Sequence, residues 1–113
     1  MFKIGSTESY SWPVKIILPA DDGKTLEQDF TAIFRRVKQS EIDDFFAMLE
    51  AGKMTDRQIV QSVLIGWKNI VDDSANQIPY SESLRDQILE GAGVATQIGA
   101  AFLSSLKAGR VKN

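Results

Sequence analysis

Apolar and polar residues alternate over the first third of the chain. Between Ser11 and Leu18 the apolar positions with a period of two are Trp12, Val14, Ile16 and Leu18. This period predicts a half-buried strand, and Pro13, which cannot donate a ladder hydrogen bond, places that strand at a sheet edge or marks its start. The turn residues Pro19 to Lys24 lead into a second alternating run from about Leu26 to Val37. The two runs predict an N-terminal β-hairpin.

Beyond the hairpin, apolar residues recur every three or four positions, as in amphipathic helices. Ser40 is the predicted N-cap of the first helix, whose apolar stripe consists of Ile42, Phe45, Phe46 and Leu49. Ser81 is the predicted cap of a short later helix, and the last helix is expected from about Val94 to Leu106. Between these two helices, the segment from Gly91 to Thr96 lacks the full pattern of a dinucleotide-binding loop. We therefore interpret it as a tight corner whose small residues let the two helices pack closely.

The strongest helical signal lies between Met54 and Tyr80. Thr55 and Gln58 have the spacing of a capping box. The apolar stripe that follows consists of Val60, Val63, Leu64, Trp67, Ile70 and Val71. We therefore predict one helix from Thr55 to the polar cluster that begins at Asp72, with Trp67 as a core aromatic residue. A glycine inside a helix, as at Gly66, destabilises the helix by about 1 kcal/mol relative to Ala. Close approach of another backbone is one reason for a glycine at this position.

These elements predict an α+β fold, mostly α, in which the hairpin is followed by about four helices. The length of 113 residues suits a single domain over residues 1–113. Residues 1–10 and 108–113 are expected to be flexible ends.

Composition narrows the classes of function. The chain has 13 basic and 15 acidic residues, a net charge of −2, which argues against general nucleic-acid binding. It has no Cys, so it has neither a disulfide nor a thiolate ligand for a metal. It also has no His, which is the commonest metal ligand and the commonest general base. No apolar run approaches the roughly 20 residues of a membrane span, so we expect no membrane insertion.

No residue pattern predicts a catalytic, cofactor or metal site. Asp43 and Asp44 fit the first turn of a helix better than acid–base catalysis. The cluster from Asp72 to Asn76 lacks the Gly and Glu of a calcium-binding loop and predicts a helix-ending turn. The basic residues Arg35, Arg36 and Lys38 are interpreted as a solvated strand end, with contact to an acidic partner as the alternative.

Several spaced segments of the second half carry a family resemblance. Val63 to Asp72 resembles a helix ending in a "GWKxVVD" signature, and Ile78 to Ser81 resembles the "PxPYS" link that follows it. The closing pattern of Leu84, Ile88-Leu89, Gly93-Val94-Ala95 and Ala101-Phe102 is similar to "L…LL…PGVA…AF", with Ala92 in place of a Pro. Together these segments resemble tail assembly chaperones of long-tailed bacteriophages and prophages, of the lambda G-protein and HK97 type.

The resemblance implies a non-enzymatic chaperone in the host bacterial cytoplasm. Such a protein binds the long helical tape-measure protein, keeps it soluble during tail-tube assembly and is absent from the mature virion. It also implies a homo-oligomer, and contact with tail-tube protein through a frameshift-extended form. The alternatives are a structural minor tail or tail-completion protein retained in the virion and, with less support, a small DNA-binding regulator.

Two apolar surfaces are candidates for contact with a partner. One is the hairpin face with Ile17 and Ile33, and the other is the helix around Phe45 and Phe46. Apolar residues left over after a core is filled tend to mark binding sites. For each of the four, burial in the protein's own core is the favoured interpretation and partner contact is the alternative.

Overall fold

A computed structural model describes residues 8–111 of the chain, with side chains as far as Ala108. The elements in chain order are β1 (Ser9–Pro19), β2 (Thr25–Arg35), α1 (Gln39–Glu50), α2 (Asp56–Val63), β3 (Leu64–Lys68), α3 (Glu82–Leu89) and α4 (Val94–Val111). The three strands form one antiparallel sheet in the order β1-β2-β3. The predicted α+β class is confirmed, with four helices after the hairpin in the described part of the chain.

The hairpin follows the predicted alternation. Strands β1 and β2 pair in register from Ser9 opposite Arg35 to Pro19 opposite Thr25. The turn between them contains a short 3-10 segment, Asp21–Gly23, in which Asp22 has a φ of 61°. The buried side chains of the two strands alternate along them and share the face toward the helices. Pro13 lies on an edge strand as predicted. The buried members are Val14, Ile16, Phe30, Ala32 and Phe34.

The predicted long helix from Thr55 to Asp72 is wrong in its second half. Helix α2 ends at Val63, and Leu64–Lys68 continues as strand β3 along the free edge of β2. A two-stranded hairpin is marginally stable in water, and a third strand pairs the backbone groups of β2 that the hairpin leaves open. The hydrogen bonds of this pairing decide the conformation, although the apolar residues recur every three or four positions as in a helix. A short strand that enters the core can bury the same residues.

Gly66 is explained by the sheet. It lies opposite Ile33, and a Cβ on Gly66 would stand 3.3 Å from Ile33 Cδ1 and 3.4 Å from Ile33 Cβ. The neighbour that approaches is therefore a side chain across the sheet, whereas the sequence suggested another backbone. A β-bulge follows, because Phe34 pairs with Leu64 and leaves Ile65 as the extra, exposed residue.

Trp67 and Tyr80 join β3 to the link before α3. Their rings meet edge to face, with centroids 4.9 Å apart. The indole N–H of Trp67 donates to the Ile78 carbonyl at 2.8 Å, and the Tyr80 hydroxyl donates to the Leu64 carbonyl at 3.0 Å. Each aromatic residue thus satisfies a backbone acceptor of the other's segment while packing on the core. The interpretation of Trp67 as a core residue is confirmed, since it is 7% exposed.

Two of the three predicted N-caps are present. The capping box of Thr55 and Gln58 is present, and the Ser81 hydroxyl accepts from Leu84 N–H at 3.1 Å. Ser40 is not a cap, because α1 begins one residue earlier and Lys38 occupies the N-cap position without a side-chain hydrogen bond. The predicted corner before α4 is made by Gly93, which has a φ of +75° that L side chains rarely adopt.

The predicted loose ends lie largely outside the described residues. Within the described part, Ser9 and Tyr10 begin β1, and α4 continues past the predicted end at Leu106 as far as Val111.

One hydrophobic core fills the space between the inner face of the sheet and the helices. Helix α4 packs against both β1 and α2, and Phe102 meets the Phe34 ring edge-on at a centroid distance of 5.2 Å. The buried members are Val14, Ile16, Phe30, Ala32, Phe34, Phe45, Ile59, Val60, Val63, Leu64, Trp67, Leu89, Val94, Ile98 and Phe102.

We expect Trp67→Ala to lower the free energy of unfolding by about 3–5 kcal/mol, because it leaves a cavity and an unpaired Ile78 carbonyl. Ile65→Ala is the matched control: the residue is in the same strand but 46% exposed, and its loss should cost less than about 1 kcal/mol. Urea unfolding of both variants measures the difference. Equal stabilities would contradict the placement of Trp67 in the core.

Candidate partner-binding surface

The four residues proposed from the sequence separate in the structure. Phe46 is 46% exposed and Ile17 is 42% exposed. Phe45 is 6% exposed and belongs to the core, so the surface of α1 presents Phe46 alone of the pair. Ile33 is half-buried and packs over Gly66 on the outer face of the sheet. The structure therefore leaves Phe46 and Ile17 as accessible apolar residues, on different elements.

Helix α1 is attached to the rest of the protein by one buried aromatic side chain and by the hydrogen bonds of an arginine. Phe45 is the one residue of α1 that is buried. Arg35, at the end of β2, donates to both Glu41 carboxylate oxygens, at 3.2 and 2.5 Å, and to the Ser62 carbonyl at 2.7 Å. This guanidinium joins β2, α1 and α2, so the basic strand end predicted as solvated is largely engaged within the protein at Arg35. Arg36 lies over the Tyr10 ring, 5.0 Å from its centroid.

The attachment of α1 creates an apolar groove against α4, which we call the Phe46 groove. Its volume is about 200 Å³. Its lining residues are Gln39, Ile42, Phe46, Leu103, Leu106 and Lys107. Ile42 and Phe46 are four residues apart on α1, and Leu103 and Leu106 are three apart on α4, so each helix supplies a row along its axis. The groove is therefore an apolar channel between two helices with polar residues at its rim.

A second groove, the hairpin groove, lies between the inner face of the hairpin tip and the segments around β3, α3 and α4. Its volume is about 530 Å³, and its lining includes Leu18, Ile70, Val71, Ile88 and Val94. Val71 at this groove and Leu26 at the hairpin tip are exposed by 46% and 48%. Sequence reasoning missed this surface, although Leu18 and Leu26, paired on the inner face, extend the alternating pattern to the tip.

The titratable groups with shifted pKa values are occupied in structural contacts. The backbone N–H groups of Asn76 and Ser74 donate to Asp72 and hold the pKa of its carboxyl below the usual range. Hydrogen bonds from Arg85 and Gln61 lower the pKa of Asp86. Asp72 thus organises a turn at the predicted place, through hydrogen bonds from the backbone two and four residues further along the chain. The turn does not end a helix as predicted, because α2 already ends at Val63.

Residues 8–111 contain no group of three or more acidic, His or Cys side chains that could hold a metal ion. None of the described helices combines the length and apolar character that crossing a bilayer requires.

Comparison of the chain with known protein families, with curated proteins and with solved structures found no match.

The segments that carry the family resemblance have local structural roles. The "GWK" segment lies in β3, where the resemblance led us to expect a helix, because it pairs with β2. Its Trp67 contacts Tyr80 of the "PYS" link, so the two most distinctive residues hold the fold together. The same segments also expose apolar side chains, at Ile65 and at Val71, which lines the hairpin groove, whereas Phe46 lies outside them.

The contact between Arg35 and Glu41 predicts a pH dependence of stability. The hydrogen bonds from Arg35 hold the pKa of Glu41 below its ordinary value. A carboxyl whose pKa is lowered in the folded state stabilises the fold at any pH above its pKa in the unfolded chain, about 4.3. This stabilisation is lost as the pH falls through the pKa of the folded state. Glu41→Gln should therefore cost at most about 1 kcal/mol at pH 7, because the pair is partly exposed, and should flatten the decline in stability below pH 4.

Thermal unfolding of the wild type and of Glu41→Gln between pH 2 and pH 7 measures this effect. Asp44→Asn, which removes one carboxylate charge from the same helix without changing the size of the side chain, is the control. A difference between wild type and Glu41→Gln that stays constant across this range would contradict the linkage.

Proposed function

We propose that this chain is an assembly chaperone for the tail of a long-tailed bacteriophage or prophage. It binds the tape-measure protein without covalent chemistry and keeps it in solution while tube subunits polymerise. The resemblance over Thr55 to the C-terminus motivates the proposal. The structural observation that supports it best is Phe46, a large aromatic residue that stays 46% exposed beside an apolar groove.

The shape of the Phe46 groove suits an amphipathic helix. Two helices form its walls, and such channels take the apolar face of a third helix as a row of anchors at helical spacing. Phe46 supplies the large aromatic surface that dominates the binding energy of many protein interfaces. Lys107 at the rim can pair with an acidic residue of the incoming helix. A tape-measure protein, as a long chain of amphipathic helices, offers many segments of this kind.

The proposal extends to assembly and location. Several copies are expected to act together, because a long tape-measure chain exposes many similar sites and multiple weak contacts add through avidity. A frameshift-extended form would bring tube subunits to the complex. The chaperone acts in the host bacterial cytoplasm and leaves before the virion is finished.

Phe46→Ser should weaken binding of the tape-measure protein by roughly 2 kcal/mol, or about 30-fold in Kd. Met48→Ser is the matched control, because Met48 is also exposed on α1, by 38%, and does not line the groove. In co-expression, the tape-measure protein should be soluble with the wild type and with Met48→Ser, and should aggregate with Phe46→Ser. Circular dichroism checks that both variants fold.

Two results would count against this function. Aggregation of the tape-measure protein in the presence of the wild type would rule out a chaperone role. Stoichiometric amounts of the chain in purified virions, measured by mass spectrometry, would instead favour a structural minor tail or tail-completion protein.

A further inference from the structure

Helix α1 buries little of its surface. Eight of its twelve residues are exposed, Phe45 is buried, and Leu49 is half-buried against the core. Helix α2, in contrast, buries three of its eight residues, Ile59, Val60 and Val63. Because the packing of an apolar face supplies most of the stability of a helix within a domain, α1 is held less firmly than α2.

Helix α1 also stands apart from its neighbour α4. The Phe46 groove, of about 200 Å³, separates the row of Ile42 and Phe46 on α1 from the row of Leu103 and Leu106 on α4. Interlocked apolar side chains in a protein interior leave few spaces larger than a water molecule. Along this groove, α1 can therefore move relative to α4 without breaking an interlocked contact.

The segments at the two ends of α1 suit a hinge. Val37, before the helix, and Met54, after it, pack against the core, so the chain is anchored on both sides of α1. Lys38 occupies the N-cap position without a side-chain hydrogen bond, and a turn over residues 51–53 connects the helix to Met54. The motion of a whole element is commonly absorbed by a few residues at its ends.

Arg35 fastens α1 to the rest of the protein. On the side of α2, its guanidinium donates to the Ser62 carbonyl and to the Ser62 hydroxyl, each at 2.7 Å. On the side of α1, it donates to both carboxylate oxygens of Glu41. The side chains of Arg35 and Glu41 are 31% and 37% exposed, so solvent weakens the ion pair between them. Glu41 can therefore separate while Arg35 stays bound to α2.

We propose that α1 is a hinged arm that opens and closes as a unit, with the ion pair of Arg35 and Glu41 as its latch. Opening moves Ile42 and Phe46 away from α4 and uncovers Phe45, so the Phe46 groove becomes a wider apolar site. Arg35 is a positioning residue, because it does not line the groove but sets its width through Glu41. The motion is independent of the chaperone role, and its use in admitting a partner's helix rests on the proposed function.

Amide hydrogen exchange of the wild-type chain in low concentrations of urea tests the opening. A helix of twelve residues is marginal in water once it leaves the body, so its amides exchange in the open state. The amides in the middle of α1 should share one degree of protection, lower than that of α2 and α4. Their exchange should also respond little to urea, because a local opening exposes little surface, whereas the best-protected amides of α2 and α4 should respond strongly.

Thiol labelling tests the latch. The chain has no Cys, so F45C places a single thiol at the buried position that opening uncovers. Adding E41Q should speed the reaction of this thiol with a labelling reagent roughly fivefold, as the loss of a partly exposed ion pair predicts. Adding D44N, which removes a charge from the same helix, should leave the rate unchanged.

Two results would overturn the proposal. One is wild-type exchange in which the α1 amides have the same protection and the same urea dependence as those of α2 and α4, because α1 then opens only when the whole protein unfolds. The other is a labelling rate of F45C that E41Q does not change. The first measurement needs no substitution, so it decides the matter even where a variant does not fold.

Discussion

The pairing of β3 with β2 is the interaction on which the rest of the structure depends. Five residues, Leu64–Lys68, close the edge of the hairpin that would otherwise be open, and they turn the chain directly from helix α2 into the sheet. This register places Trp67 on the inner face opposite Ala32 and brings Gly66 under Ile33. Trp67 then meets Tyr80, which fixes the link into α3. The path of the second half of the chain therefore follows from one short ladder.

Much of this architecture could be predicted from local patterns, and the exceptions have a common physical cause. The hairpin, the capping box at Thr55 and the cap at Ser81 are set by neighbours within a few residues, so the sequence predicts them correctly. Strand β3 depends on the free edge of β2, some thirty residues earlier in the chain, and a short, largely apolar segment such as Leu64–Lys68 fits a helix or a strand equally well. Tertiary pairing decides between the two, and no local signal could.

The candidate binding surface also could not be predicted from local sequence, because it depends on how α1 docks. Phe45 and Phe46 are adjacent on a helix, about 100° apart around its axis, so at most one can face the core squarely. Which one is buried depends on the docking of α1, and that docking is fixed by Arg35 through its bonds to Glu41 and to the α2 backbone.

The proposed function is based on which apolar residues are buried in the core and which stay at the surface. The core is filled by side chains from the sheet, α2 and α4, with Phe45 as the one buried residue of α1 and Leu89 as that of α3. Of the large apolar residues that stay exposed, Phe46 and Val71 each line a groove, and the titratable groups with shifted pKa values serve turns and helix contacts. We therefore interpret the molecule as a scaffold whose working surface is the Phe46 groove.

Site-specific photo-crosslinking tests that interpretation most directly. A benzophenone amino acid placed at position 46, in cells that also express the tape-measure protein, should crosslink to that protein on irradiation, and the same group at position 48 should not. Equal crosslinking from both positions, or none from position 46 while the two proteins still purify together, would contradict the assignment of the groove as the binding surface.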